Sequence, residues 1–367
     1  MKLEAVDVYR LSLPLVAPFQ TSFGTQTVKE VLVLRARTNV GIGWGECVAF
    51  AEPLYSSEYI DGAEHVIENH LLPRLFAAEE LDAQAVAPLL AAVLGHRMAK
   101  SALEMAILDA ELREKDLSFA DFLGATRDTV DCGVSVGIHA SISELLDVVG
   151  KYVEEGYLRI KLKIEPGWDI EPVKAVRERF GDILLQVDAN SAYTLRDAAH
   201  LAELDAYELL LIEQPLPEDE VRGHAELART LRTPICLDES IVSAQSAADA
   251  ISIGACAIVN VKPGRVGGYL EAQRIHDVCA ANDVPVWCGG MLETGLGRAA
   301  NIALAALPNF TLPGDTSASD RYFHSDLTEP FVLDHGRLHV PRGPGLGVSP
   351  LEDALKDLTS SSRTISR

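Results

Sequence analysis

Five ionisable side chains recur along the chain at an almost constant interval of 24 or 25 residues, each at or just after the end of a short apolar run. They are Lys163, Asp188, Glu213, Asp238 and Lys262. If the runs are parallel strands, their ends bring the three acids together, where they would repel one another unless a cation neutralised them. Oxygen ligands without histidine or thiolate select a hard ion and leave positions for water and substrate. The spacing therefore predicts that Asp188, Glu213 and Asp238 bind Mg²⁺, Mn²⁺ or another divalent cation.

Lysines flank the three acids on both sides. Lys161 and Lys163 are two residues apart on one strand and so share a face, and Lys262 lies beyond the third acid. Crowding of cations should lower the pKa of an amine and make it a general base near neutral pH. The set predicts removal of a proton α to a metal-bound carboxylate, through an enediolate. Racemisation and dehydration both remain open as outcomes.

Eight short apolar runs alternate with amphipathic helical patterns from about residue 130 onward. This alternation indicates a parallel sheet, and eight units in under 200 residues fit a closed (β/α)₈ barrel, with one irregular unit allowed. No GxGxxG motif follows the first run, so an open dinucleotide-binding sheet is disfavoured. The predicted strands are 133–136, 158–162, 183–187, 209–212, 235–237, 257–261, 286–288 and 310–312.

The first 125 residues have a different pattern, with strands followed by helices. We predict an α+β domain over 1–125, the barrel over 126–320, and a segment over 321–367 that packs back on the first domain. The stretch 16–24 has two aromatic residues and no clear period, and predicts a mobile loop with an apolar tip. The polar tail, 356–367, is predicted to be disordered.

Composition limits the partners. The 367 residues include 32 Lys and Arg against 54 Asp and Glu, a net charge of −22, which disfavours nucleic acid and anionic membranes and favours a small-molecule partner. The six cysteines are scattered without a CxxC pair, as in reduced intracellular proteins. No apolar run reaches membrane-spanning length and the N-terminus lacks a signal-like stretch, which predicts a cytoplasmic protein.

Three features have a structural interpretation beside a functional one. The glycine-rich segment 286–297 fits either a phosphate cradle or a close backbone approach to a carboxylate, and we favour the second because no GK[ST] follows. Cys288 is interpreted as a buried thiol rather than a nucleophile. Lys161 taken alone has the alternative of a structural cation.

The same motifs resemble the muconate-lactonizing subgroup of the enolase superfamily, over nearly the whole chain. The shared strings are Lys161-Leu-Lys163, Val187-Asp-Ala-Asn190, Ile212-Glu-Gln-Pro215, Leu237-Asp-Glu-Ser240 and Val261-Lys262. The resemblance implies a TIM-like (β/α)₇β barrel with an α+β N-terminal capping domain that the C-terminal segment completes. Longer strings at 159–168, 263–268, 287–291 and 312–317 are similar to the o-succinylbenzoate synthases that also act as N-succinylamino acid (N-acylamino acid) racemases.

The resemblance assigns roles to individual residues. It implies that Asp188, Glu213 and Asp238 bind Mg²⁺, that Lys163 and Lys262 are the acid/base pair, and that Lys161 helps to bind the substrate carboxylate. The remaining substrate contacts that it implies are Ser135, Asn190, Gly290, Met291, Leu292, Phe19 and Phe23. The implied substrates are small carboxylates with a succinyl or acyl arm. The synthase reaction belongs to menaquinone biosynthesis, and relatives are often octamers or dimers, which implies a homo-oligomer.

Differences from the motifs of related enzymes disfavour some activities of the superfamily for this chain. Dipeptide epimerases carry a DxD motif at the eighth strand, where this chain has only Asp315, and mandelate-type members have a histidine base where this chain has Trp287-Cys288. Muconate cycloisomerase stays open as an alternative. A catalytically inactive barrel used as a binding or structural protein also stays open, although buried amines beside buried acids would be costly for it.

Overall fold

The computed structural model describes all 367 residues of the chain. It begins with an antiparallel meander, and five helices follow. The strands are β1 (Leu3–Thr21), β2 (Gly24–Thr38) and β3 (Gly41–Cys47). The helices are α1 (Ile60–Val66), α2 (Leu72–Ala77), α3 (Ala83–Leu90), α4 (Arg97–Glu114) and α5 (Phe119–Leu123), with a π-helical turn over Ile67–Leu71.

The predicted loop at 16–24 is wrong, because most of it belongs to a long hairpin. Strand β1 continues to Thr21, and Phe19 pairs with Gln26 and Thr21 with Gly24 after a register shift that begins at Pro14. The irregular register explains why the side chains show no alternation there. The hairpin carries its aromatic tip over the second domain, where Phe19 contacts Tyr322.

Helix α4 packs against the meander through a mainly apolar face. Met98, Ala102, Met105, Leu108 and Leu112, which the sequence predicts as one face, are all at most 2% exposed.

The second domain is a curled parallel sheet surrounded by helices, a TIM-like barrel. Its strands follow a short strand, β4 (Thr129–Asp131), and are β5 (Gly133–Val136), β6 (Arg159–Lys163), β7 (Leu184–Asp188), β8 (Ile212–Glu213), β9 (Ile235–Leu237), β10 (Ile258–Val261) and β11 (Val286–Cys288), paired in that order. The helices are α6 (Ile142–Glu154), α7 (Ile170–Phe180), α8 (Ala198–Leu201), α9 (Val221–Leu227), α10 (Ala244–Ser252), α11 (Pro263–Val266), α12 (Tyr269–Ala281) and α13 (Gly295–Ala305).

The predicted eighth strand is reduced to isolated bridges. Phe310 makes a single parallel bridge to Val286, and the chain then runs between the last and first strands. There the amide of Asp315 donates to the carbonyl of Cys288, and the amide of Gly133 donates to the carbonyl of Gly314. The barrel thus closes through a short irregular segment, and no helix equivalent to the other seven follows it.

The C-terminal segment returns to the first domain. It contains β12 (Arg337–His339), which pairs with β4, then α14 (Glu352–Leu358) and β13 (Thr359–Ser366). The prediction of a disordered tail is wrong: β13 pairs antiparallel with the open edge of β1, and Arg363 contacts Glu64 and Glu68. Backbone pairing to an edge strand needs no apolar side chains, which is why composition misses it.

The two domains form one α/β architecture of a capping domain and a (β/α)₇β barrel. No helix combines the length and the apolar character that crossing a bilayer requires.

Candidate active site

The residues of the 25-residue interval meet at the carboxyl ends of the barrel strands. Lys163, Asp188 and Glu213 are the last residues of β6, β7 and β8, and Lys163 pairs in register with Asp188, which pairs with Glu213. Asp238 directly follows β9 and Lys262 directly follows β10. All five are less than 10% exposed. Parallel pairing therefore places five charged groups at one level of the barrel, where active sites of this architecture lie.

Lys163 is held by two groups at the end of the next strand. Its Nζ donates to Oδ2 of Asp188 at 2.6 Å and to Oδ1 of Asn190 at 2.6 Å. Asn190 in turn donates to Oε1 of Glu239 at 2.9 Å. The backbone of Asn190 has a φ of 41°, an unusual value for a residue other than glycine and typical of a constrained functional loop.

Lys161 lies deeper in the barrel and contacts three carboxylates. Its Nζ is 2.7 Å from Oδ2 of Asp315, 3.0 Å from Oε2 of Glu213 and 3.4 Å from Oδ2 of Asp188. It also lies 4.7 Å from the ring centre of Trp287. Its neighbour Arg159, at the bottom of the same strand, contacts Asp315 at 2.9 Å.

Lys262 contacts groups from both domains. Its Nζ donates to Oδ2 of Asp238 at 2.6 Å and to the hydroxyl of Tyr55 at 3.1 Å. The guanidinium of Arg265 donates to the other oxygen of Asp238 and to the backbone carbonyls of Ile241 and Asn260. Asp238 is therefore shared between an amine and a guanidinium.

Burial and the neighbouring charged side chains act in opposite directions on the pKa values of the site's acids and lysines. Burial alone raises the pKa of Asp188, but Lys163 and Lys161 outweigh burial and hold it well below its ordinary range. For Glu213 burial prevails and, with the neighbouring charge of Asp188, raises its pKa. Burial alone lowers the pKa of Lys161 and Lys262, but nearby anionic groups outweigh it and raise both. The protein's own groups thus raise the pKa of these two amines, because each faces more acids than cations. The lowering expected from crowding by a bound cation as well as by neighbouring lysines stays a prediction.

The three acids have the donor chemistry that a hard divalent cation requires. They offer only carboxylate oxygens, on three adjacent strand ends, and are at most 1% exposed. In this structure no three His, Cys, Asp or Glu side chains stand close enough together to hold a metal ion. The reason is local: each acid turns toward an ammonium or guanidinium group. One oxygen of the adjacent Glu239 is buried without a hydrogen-bond partner, which is consistent with room for further positive charge.

A cavity lies directly above these groups, between the barrel and the capping domain. It is lined by every residue that the sequence analysis names as a substrate contact: Ser135, Lys161, Asn190, Gly290, Met291, Leu292, Phe19 and Phe23. The hydroxyl of Ser135 has no hydrogen-bond partner within the protein. The cavity thus combines a polar floor with an aromatic roof, as ligand sites commonly do.

Several lining residues were not predicted. They are Thr21, Gln26, Phe50, Tyr55, Asp315 and Tyr322. Phe50 and Tyr55 lie in a segment between β3 and α1 that has no periodic pattern, and its three aromatic residues, which include Tyr59, are its only distinctive sequence feature. Asp315 was noted only as a departure from the DxD motif, without its contacts to Lys161 and Arg159.

The amides at the end of the glycine-rich segment 286–297 are occupied by a carboxylate of the protein and are not open to a phosphate. The N-terminus of α13 already receives a carboxylate, because Glu46 of the capping domain accepts hydrogen bonds from the amides of Thr294 and Gly297. The side chain of Glu293 accepts from the amide of Met291 at 2.9 Å and so fixes the backbone that lines the cavity. Burial raises the pKa of the Cys288 thiol far above its usual value, in agreement with an inert buried cysteine.

Comparison with known proteins decides the family. Residues 5–124 match the N-terminal domain of mandelate racemase and muconate lactonizing enzyme, and residues 144–354 match the enolase C-terminal domain-like family. The chain belongs to the enolase superfamily. Enzymes of this superfamily use a divalent metal, typically Mg²⁺.

Similar proteins within the enolase superfamily cover the chain almost end to end. An N-succinylamino acid racemase from Amycolatopsis is 69% identical over 98% of both chains. An o-succinylbenzoate synthase from Geobacillus kaustophilus is 47% identical over 95% of this chain and 93% of its own. The crystal structure of an enolase superfamily member from Listeria innocua has a TM-score of 0.96 at 42% identity, covering 100% of this chain and 99% of its own. These relatives favour neither a muconate cycloisomerase nor an inactive barrel.

Proposed function

We propose that the enzyme removes the proton α to the carboxylate of an N-succinylamino acid or a related acylated substrate, and that it acts as an N-succinylamino acid racemase, an o-succinylbenzoate synthase, or both. One observation carries the proposal. Lys163 ends β6 and Lys262 directly follows β10. They lie on either side of the three strand ends that position the acids, and each Nζ is 2.6 Å from its own aspartate. Two amines facing a common site from two sides can serve the two faces of one carbon acid.

We further propose that Asp188, Glu213 and Asp238 hold Mg²⁺ or another divalent cation. When bound, this cation would supply the positive charge that stabilises an enediolate, and it would offset the carboxylate charge that raises the pKa of Lys262. Lys161 keeps its proton because Asp315 and Glu213 surround it, so it can attract the substrate carboxylate without acting as a base.

Both reactions begin with removal of the α-proton, and they differ in the steps that follow. In racemisation, Nζ of one lysine takes the α-proton and Nζ of the other delivers a proton to the opposite face, so the C–H bond that breaks is replaced by a new one. In the synthase reaction the α-proton leaves to a lysine and the β-hydroxyl leaves with a proton as water, which creates a double bond. The racemase and synthase substrates share a carboxylate and a succinyl arm, so one cavity can accept both.

The succinyl or acyl arm would lie under the aromatic roof. Phe19, Phe23 and Phe50 supply apolar surface there, and Ser135 and Asn190 offer polar groups at the floor. The segment Gly290–Leu292 lines the same cavity. A side-chain carbon at Gly290 would lie 3.1 Å from the carbonyl oxygen of Asp315, so glycine lets the two backbone segments approach closely there.

Two assays test the proposal. The enzyme is incubated with each enantiomer of N-succinylphenylalanine, and separately with the succinyl-hydroxycyclohexadiene carboxylate that the synthases dehydrate, with Mg²⁺ and with a chelator. We expect loss of optical activity or formation of o-succinylbenzoate with metal, and neither with chelator. Absence of both reactions in the presence of metal would contradict the proposal.

A further inference from the structure

The two proposed bases are supported by different parts of the molecule. Lys163 has two hydrogen-bond partners, Asp188 and Asn190, and both belong to the barrel. Lys262 has one barrel partner, Asp238, and one partner from the capping domain, the hydroxyl of Tyr55. The barrel alone therefore supplies all the hydrogen-bond partners of Lys163. Lys262 needs the capping domain for one of its two partners.

Tyr55 reaches the barrel from an exposed stretch of the cap. The flanking residues 51–54 are all exposed, and Tyr55 itself is partly buried. Its hydroxyl lies 3.1 Å from Nζ of Lys262 and 3.3 Å from Oδ1 of Asp238, and its ring centre lies 4.7 Å from the same Nζ. One side chain of the cap thus contacts both members of the Lys262–Asp238 ion pair.

The ring of Tyr55 also joins this segment to the tip of the β1–β2 hairpin. Its centre lies 6.1 Å from that of Phe23 and 5.8 Å from that of Phe50. These aromatic side chains roof the cavity, so Tyr55 packs into the roof while its hydroxyl contacts the barrel.

The cavity beneath this roof is small. It measures about 50 Å³, far below the volume of several hundred Å³ that holds a typical ligand. A substrate with an acyl arm therefore needs the roof to move outward before it enters. Outward movement of the roof would separate Tyr55 from Lys262, whereas the contacts of Lys163 are made within the barrel and do not involve the roof.

We propose that Tyr55 is a positioning residue for Lys262, through which closure of the capping domain prepares one of the two bases and not the other. The inference rests on the proposed function, since it concerns which base acts. Its physical basis is that a hydrogen bond to a long, flexible amine selects one rotamer, and a charged partner strengthens that bond.

The test compares the two enantiomers of N-succinylphenylalanine in D₂O, following exchange of the α-proton by NMR. Lys163→Ala and Lys262→Ala serve as references that assign each enantiomer to its base. Tyr55→Phe keeps the ring and removes the hydroxyl. We expect it to slow exchange of the Lys262-dependent enantiomer about tenfold or more and that of the other less than about twofold.

A matched control disturbs the roof without removing the hydroxyl. Phe50→Leu shortens a neighbour of Tyr55 that does not reach Lys262, and it should slow both enantiomers to a similar degree. Equal slowing of the two enantiomers by Tyr55→Phe, or no slowing, would overturn the inference. If the wild-type enzyme exchanges neither enantiomer, the proposed function itself fails, which is a distinguishable result.

A second measurement needs no turnover. Reductive methylation of the metal-free protein, followed by peptide mass spectrometry, reports how accessible each amine is. Tyr55→Phe and the more severe Tyr55→Leu should speed labelling of Lys262, which is 5% exposed, and leave that of Lys163 unchanged. Unchanged labelling of Lys262 in both variants would contradict its positioning by Tyr55.

Discussion

The carboxylate of Asp315 lies 2.7 Å from the amine of Lys161, inside the barrel and below the proposed substrate site. The same carboxylate is 2.9 Å from the guanidinium of Arg159, which is fully buried. Burial by itself raises the pKa of Asp315, but these two cations outweigh burial and hold it well below its usual range. Asp315 therefore offsets part of the positive charge of two buried cations, next to the lysines that we propose as the acid/base pair.

Removing the charge of Asp315 should destabilise the fold. Asp315→Asn leaves the buried cation of Arg159 without a carboxylate, and breaking such a pair on one side costs about 3–5 kcal/mol. Urea denaturation measures the free energy of unfolding. The exposed Asp320→Asn is the matched control and should stay within about 0.5 kcal/mol of wild type. A wild-type value for Asp315→Asn would contradict this role.

Glu104 makes the contact between the domains sensitive to pH. This residue of α4 accepts a hydrogen bond from the amide of Leu270, at the start of α12, and burial raises its pKa from 4.5 to about 7. Between these values the folded protein binds more protons than the unfolded chain, so the contribution of Glu104 to stability falls as pH rises from about 4.5 to 7.

Glu104→Gln should remove that pH dependence. We expect a Tm close to wild type near pH 4.5 and higher than wild type at pH 8, where the free energy of unfolding should rise by about 3 kcal/mol. Glu114→Gln, at an exposed position of the same helix, removes an equal formal charge and should show no such divergence. A Tm difference for Glu104→Gln that is the same at both pH values would refute the prediction.

Gly45 permits α4 to lie directly on strand β3. A side-chain carbon at this position would be 2.1 Å from the carbonyl oxygen of Ala102 and 2.9 Å from the amide of Ala106. Gly45→Ala should therefore lower the free energy of unfolding by about 1–3 kcal/mol. Gly150→Ala, in the interior of α6 with its nearest neighbour at 3.6 Å, should instead raise it by about 0.5–1 kcal/mol. Equal effects of the two substitutions would contradict the close approach.

Divalent metal should stabilise the folded enzyme if the three acids bind it. Mg²⁺ at 100 times its Kd adds about 2.7 kcal/mol, seen as a rise in Tm that a chelator reverses. Glu213→Gln should abolish most of this rise, since it removes one of the three proposed carboxylates. A Tm that responds to neither Mg²⁺ nor Mn²⁺, or an undiminished rise in Glu213→Gln, would refute the metal assignment.

The sequence was informative where spacing reflects repeated structure. Each βα unit adds about 25 residues, so Lys163, Asp188, Glu213, Asp238 and Lys262 could be assigned to one level of the barrel without coordinates. Parallel pairing in register then brings them together.

The sequence was uninformative where contacts join distant segments. Tyr55 lies 207 residues from Lys262 in a segment without periodicity, and the contact of Asp315 with Lys161 spans the closing gap of the barrel. The sequence did not predict strand β13, because its pairing with β1 depends on backbone groups and not on apolar side chains. The pKa directions of Lys161 and Lys262 likewise depend on the number of acids around each amine.

The central claim is that Lys163 and Lys262 act from opposite sides of one carbon acid, and isotope exchange in D₂O by the two alanine variants tests it most directly. With both enantiomers of N-succinylphenylalanine and Mg²⁺, each variant should exchange the α-proton of one enantiomer only, the two variants should choose opposite enantiomers, and neither should racemise. Racemisation at the wild-type rate by either variant, or exchange of the same enantiomer by both, would contradict the account.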